Sequence, residues 1–107
     1  MATREEDWEA AVWRALGSRW RRRILDLLRR HPRTTNEVWA AVAPEGLSRF
    51  AVMQHLRVLE RAALVIRRRS GRTTYNVLHP TPLKRIYHDW IRHYLTLRPA
   101  PTPLRRR

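Results

Sequence analysis

Residues 47–61 read Leu47-Ser48-Arg49-Phe50-Ala51-Val52-Met53-Gln54-His55-Leu56-Arg57-Val58-Leu59-Glu60-Arg61. Ser48 suits a helix N-cap, and at about 100° per residue Val52, Leu56, Leu59 and Ala63 share one stripe, which reads as a core face. Phe50, Met53, Gln54, Arg57 and Arg61 fall on the opposite side, with Arg49 beside them at the N-terminal end. An exposed face that mixes guanidinium and amide groups with apolar carbon can offer paired donors to base edges and contact to thymine methyls. The pattern predicts a helix built to enter a DNA groove.

Upstream, residues 5–16 open on Glu5, Glu6 and Asp7, an acidic first turn that complements a helix dipole, and place Trp8, Val12 and Ala15 on one face while Trp13 points elsewhere. Large apolar groups on two sides of a short helix suit a position between the domain and a second body. Gly17 ends this helix and Ser18 caps the next, which runs to about Arg30 with Trp20, Ile24, Leu27 and Leu28 inward. His31-Pro32 breaks it, because the residue before proline is driven out of helical geometry. Thr34 and Glu37 have capping-box spacing and open a third helix with Val38, Trp39 and Val42 as its apolar side. Ala43-Pro44-Glu45-Gly46 then turns the chain into the 48–61 helix, completing a helix-turn-helix.

Downstream the period changes from helical to alternating. Residues 64–69 and 72–77 are β-prone runs separated by Ser70-Gly71, with Val65, Tyr75 and Val77 as apolar positions and Arg68, Arg69 and Arg72 near the tip. A basic hairpin after a groove-entering helix reads as a wing, and Thr73 is included with those arginines among the expected DNA contacts. Thr81 as cap and Pro82 in the first turn begin a last helix carrying Leu83, Ile86, Tyr87, Trp90, Tyr94 and Leu97 along one stripe. That stripe exceeds what a small domain must cover. With the first helix it makes an expected homodimer surface: Trp8, Val12, Trp13, Ile86, Tyr87, Trp90 and Tyr94.

The composition agrees. Twenty-three basic residues against nine acidic ones give a net charge of +14, and every basic residue except Lys84 is arginine, whose planar fork suits phosphate and guanine. With no cysteine, thiolate metal sites, disulfides and cysteine nucleophiles are excluded. Nine carboxylates and no glycine-rich phosphate loop leave nothing that assembles a catalytic centre, so a non-enzyme without cofactor is expected. Absence of a long apolar run points to a cytoplasmic protein without membrane contact.

The motifs Thr35 to Glu37, Leu47-Ser48-Arg49 with Val52 and His55-Leu56, and Pro82-Leu83 with Ile86 and Trp90, following Arg23-Ile24-Leu25-Asp26-Leu27-Leu28, resemble the ArsR-type winged-helix repressors, most closely their metal-independent branch. The resemblance covers residues 10–95. It implies a mainly α fold with a small β-hairpin (α-α-α-α-β-β-α) that dimerises through its first and last helices. It also implies DNA reading by Ser48, Arg49, Phe50, Met53 and Gln54, to which the helical face adds Arg57. The sequence departs from that family at Ala63, where glycine is usual; a left-handed backbone there would be strained. Segment 36–40 has no thiol, and His88 and His93 lie about 140° apart on a helix, so no metal is expected. His55 reads as a packing or phosphate-contacting residue.

The expectation is therefore one domain over 1–97, a basic proline-rich disordered tail over 98–107, and a homodimeric repressor of a pseudo-palindromic double-stranded operator. A small-molecule effector between the dimerising helices is compatible with this reading. The alternatives are a sequence-neutral nucleoid or RNA-binding protein, favoured by charge alone, and an interaction module whose last helix binds a different protein.

Overall fold

The computed structural model describes residues 4–97. The tail 98–107 and the side chains of Glu5 and Glu6 lie outside the described residues. Along the chain are α1 (Arg4–Leu16), α2 (Arg19–Arg30), α3 (Thr35–Val42), a 3₁₀ turn (Ala43–Glu45), α4 (Arg49–Arg61), β1 (Val65–Ser70), β2 (Thr73–Leu78) and α5 (Thr81–Ile86). A π-helical turn, Tyr87–Ile91, continues α5 into α6 (Arg92–Leu95), so the last helix is a single rod with a widened middle.

Local chemistry accounts for the helix boundaries. Ser18 Oγ accepts from the Arg21 amide at 3.3 Å to start α2. Thr34 and Glu37 form a reciprocal capping box, with bonds of 3.1 and 2.8 Å, to start α3. Ser48 Oγ accepts from the Ala51 amide at 3.1 Å to start α4. Each cap satisfies an amide that the helix cannot pair internally. The turn before α4 closes on Gly46, whose φ of 105° a side chain would resist. It is held to α2 by Arg23 and Glu45, 2.8 Å apart; that hydrogen bond holds the Glu45 carboxyl below its ordinary range.

Val12 and Ala15 of α1, Ile24, Leu25, Leu27 and Leu28 of α2, Val38 and Val42 of α3, and Val52, Leu56 and Leu59 of α4 meet in one core, closed by Leu64, Val65 and Ile86. Burial of a side chain such as Ile24 or Leu59 contributes about 1.5–3 kcal/mol, so the outward face of α4 is free of any duty to the core. Several expectations change here. Trp20 is only half buried and carries the Arg19 guanidinium 5.0 Å above its ring; Trp39 is 37% exposed. Thr81 does not cap α5, whose N-cap is Pro80 with no side-chain bond.

Ala62, not Ala63, completes the core stripe, because α4 ends at Arg61 and the backbone turns left-handed at Ala63. Ala63 has φ 58°, and the bonds Ala63 N–H to Glu60 O and Leu64 N–H to Leu59 O are those of a Schellman motif. A Cβ in this left-handed position is strained. Ala63→Gly is expected to raise stability by about 1 kcal/mol, read as a higher midpoint in urea with an unchanged slope. A lower midpoint would contradict this account of the cap.

The hairpin is phased one residue away from its sequence reading. Ser70 pairs with Thr73, so the turn is Gly71-Arg72, with Gly71 at φ 63° in the first central position. Val65 pairs with Leu78, and alternation then puts Asn76, not Tyr75 or Val77, on the inner face. Asn76 is fully buried. It forms a third, one-residue antiparallel pairing with Arg33, Asn76 N–H to Arg33 O at 2.7 Å and Arg33 N–H to Asn76 O at 3.1 Å. Its Nδ2 donates to Arg33 O and to Thr35 Oγ1 at 3.1 and 3.3 Å, which ties the wing to the start of α3.

Candidate nucleic-acid interface

Between the start of α3, the outer face of α4 and the hairpin lies an open groove of about 430 Å³. Arg49, Met53 and Arg57 line it from α4, Arg67, Arg72 and Thr73 from the hairpin, and Thr35 and Asn36 from α3. Its sole carboxylate is Glu60, 3.9 Å from Arg67. A trough with guanidinium groups on both banks and one acid presents a positive potential to a polyanion.

The expected contact residues divide. Arg49, Met53, Arg57, Arg72 and Thr73 are brought together in the groove. Phe50, 68% exposed, and Gln54 stand out from the adjoining face of α4. Gln54 Oε1 accepts from Arg57 Nη1 at 3.4 Å. Ser48 Oγ accepts from the Ala51 amide in the cap, leaving its hydroxyl hydrogen and one lone pair for other partners. Arg69 folds over the hairpin tip, Nε donating to Gly71 O at 3.1 Å. Arg68 pairs with Tyr75 on the opposite side of the ribbon from Arg67 and does not line the groove. Arg67 and Asn36 were not anticipated. The one-residue phase error hid Arg67; Asn36 lies on the neighbouring helix, where α4 periodicity gives no signal.

His55 faces the domain, as a packing residue would. Its Nδ1 is 3.2 Å from Arg21 Nη1, and because arginine has no acceptor, His55 must accept there with its proton on Nε2. Burial first, then the Arg21 charge, holds the imidazole below its ordinary range. The same guanidinium donates to Ala15 O and Arg14 O at 3.0 and 2.8 Å. One side chain thus fixes α4 against the end of α1.

On the far side, α1 and the last helix enclose a second groove, about 570 Å³, lined by Trp8, Trp13, Trp90, Ile86, Glu9 and Asp89. Trp90 meets Trp13 edge-on at 6.0 Å and Tyr94 at 5.0 Å, and Arg85 lies 4.2 Å over the Trp8 ring. Tyr87, Trp90 and Tyr94 are about half exposed. Val12 departs from the expected dimer surface: it is fully buried in the core of its own domain. Ile86, 3% exposed, supplies only the floor of the groove. Asp89 lies 3.8 Å from Arg85, and among the described residues no group of three His, Asp or Glu is placed to hold a metal. No helix among the described residues is long and apolar enough to cross a membrane.

No family model matches the chain. It is 35% identical over 85 residues to an uncharacterized HTH-type transcriptional regulator, YuzN, of Bacillus subtilis, covering 76% of this chain and 92% of that one. A crystal structure of a possible transcriptional regulator for arsenical resistance is 33% identical, with a TM-score of 0.63, 76% of this chain and 81% of that chain being covered. The chain belongs to the ArsR-type winged helix-turn-helix transcriptional regulators. The ArsR-type fold extends to a homodimeric winged helix-turn-helix DNA-binding domain from Mycobacterium bovis, solved in solution, with TM-score 0.65 at 24% identity over 92% of each chain. In ArsR-type terms α3 and α4 are the helix-turn-helix, and β1 and β2 are the wing.

Proposed function

We propose that this regulator is a homodimeric repressor that binds a pseudo-palindromic double-stranded DNA operator. The observation that carries the reading is the partition of its surface. Arg49, Arg57, Arg67 and Arg72 converge on the helix-turn-helix and wing, whereas Trp8, Trp13 and Trp90, with the acids Glu9 and Asp89, line a separate groove between α1 and the last helix. The first surface suits a polyanion; the second suits a protein. α4 lies in the major groove with Arg49, Gln54 and Arg57 toward base edges and Phe50 and Met53 against methyl groups, while Arg72 and Thr73 meet the backbone beside it. Two such helices related by a two-fold axis read half-sites about one helical turn, ~34 Å, or a multiple of it apart.

Selection of bound sequences from a random duplex library tests this directly. The expected result is an inverted repeat that survives excess non-specific competitor; enrichment of no sequence at all identifies a sequence-neutral binder instead. Against the selected operator, Arg49→Ala is expected to cost about 1–3 kcal/mol and relax preference at one base pair of each half-site. Arg72→Ala is expected to weaken operator and random DNA alike and lessen the salt slope by about one per protomer. Reversal of these two patterns would place base reading on the wing and overturn the assignment.

A further inference from the structure

Among the groove's arginines, Arg49 is held by side chains of both α3 and α4. Its Nε donates to Asn36 Oδ1 across the helix-turn-helix at 2.8 Å, and its Nη1 lies 3.3 Å from Met53 Sδ one turn along α4. We infer that Asn36 of α3 is a positioning residue for base reading: it sets the Arg49 guanidinium so that its outer edge, Nη2 and the free hydrogen of Nη1, faces the duplex as a paired donor. This rests on the proposed placement of α4 in the major groove.

Donor chemistry fixes the sense of the contact. Arginine only donates, so the amide must turn Oδ1 to Arg49 and Nδ2 away. With Nε occupied, the side-on pair Nε and Nη2 is unavailable to a base, and the end-on pair remains, which matches the two acceptors on a guanine edge. A free arginine would lose much of its rotamer freedom on binding; one held from α3 has already lost it, so less is lost on forming the complex. Asn36 is exposed and is not one of the core residues, so it has no packing role to confuse with this one.

The test measures operator and random-duplex binding, and base preference at each operator position, for the full chain and its variants. Asn36→Ala is expected to weaken operator binding about 3- to 10-fold with an unchanged melting temperature, and to relax the same base pair that Arg49→Ala relaxes. In the Arg49→Ala background it should add less than about 2-fold, because its effect passes through that side chain. Asn36→Asp keeps the acceptor: it should restore preference at that base pair while weakening all duplexes alike through its charge. An equal loss from Asn36→Ala with or without Arg49, or a loss shared equally by random DNA, would make Asn36 a backbone contact and overturn the inference. Arg49→Ala leaving every base preference intact would overturn it too. Failure of the wild-type chain to select any operator is the separate signature that the DNA-reading proposal itself has failed.

Discussion

Trp90→Glu is expected to yield a folded monomer whose affinity for the selected inverted repeat is lower by about 100-fold or more. Trp90 is 51% exposed in the single chain and lies outside the core cluster, touching Trp13 and Tyr94 edge-on. A tryptophan carries about 200 Å² of surface, so roughly 100 Å² remains for a partner to cover, equivalent to about 2.5 kcal/mol. A two-fold interface uses the same residue twice, which doubles the loss, and the new carboxylate stands beside Glu9 and Asp89 in a groove a partner would desolvate. Once the protomers part, the second half-site is no longer presented at the millimolar local concentration that a linked pair provides. Binding to random DNA, governed by the arginine groove, should change far less. Light scattering gives the mass, thermal melting checks the fold, and titration of the operator gives the affinity. A dimer that persists, or a monomer binding the repeat as tightly as wild type, would separate this aromatic face from DNA recognition and favour a different protein as its partner.

How much of this was legible in the sequence depended on how far each feature was local. The α4 boundaries and its two faces were readable because a cap and a 3.6-residue period are properties of adjacent residues, and Ser48, Val52, Leu56 and Leu59 stand as expected. The capping box at Thr34 and Glu37 was local in the same way. Ala63 reads by period as part of the core stripe, and only the family resemblance, with its usual glycine there, pointed to the left-handed backbone that its φ of 58° adopts. The hairpin failed differently. A period of two has only two phases, and Tyr75 and Val77 look more apolar than Asn76, so hydrophobicity chose the wrong one. What decides the phase is a partner in sequence distant by some forty residues, the backbone of Arg33, which no alternation pattern encodes. Arg67, on the inner phase with Asn76, was overlooked for the same reason, and Arg68 was overvalued. Asn36 escaped because its role lies across a turn between two helices.

Asn76 consequently sets the largest stability effect expected in the wing. Its amide donates inward to two oxygens, Arg33 O and Thr35 Oγ1, and its own Oδ1 is buried without a protein partner. Asn76→Asp preserves the shape and reverses the chemistry: a carboxylate oxygen would replace the donor opposite the Arg33 carbonyl. The Arg33 guanidinium turns its Nε to Leu27 O at 3.3 Å, not to Asn76. An uncompensated buried charge costs about 3–5 kcal/mol, a large part of the 5–15 kcal/mol that typically holds a domain together. Burial raises the folded-state pKa of that carboxyl above its unfolded value of about 3.9. The cost is therefore complete above the folded pKa, shrinks as pH falls through it, and vanishes below the unfolded pKa, where both states are protonated. Asn76→Leu should cost less, since it removes the unpaired Oδ1 along with the Nδ2 bonds and leaves the backbone pairing to Arg33 in place. Urea unfolding of the three proteins at pH 7 and again near pH 4 distinguishes these outcomes, with the wild-type curve at each pH as reference. An Asn76→Asp protein as stable as wild type at pH 7 would show that this position is not the dry, donor-requiring joint between wing and helix-turn-helix that its contacts describe. If the joint is as described, the same variant near its unfolding threshold should lose wing protection from hydrogen exchange before α4 does, because Val52, Leu56 and Leu59 also pack in the core with residues of α1, α2 and α3.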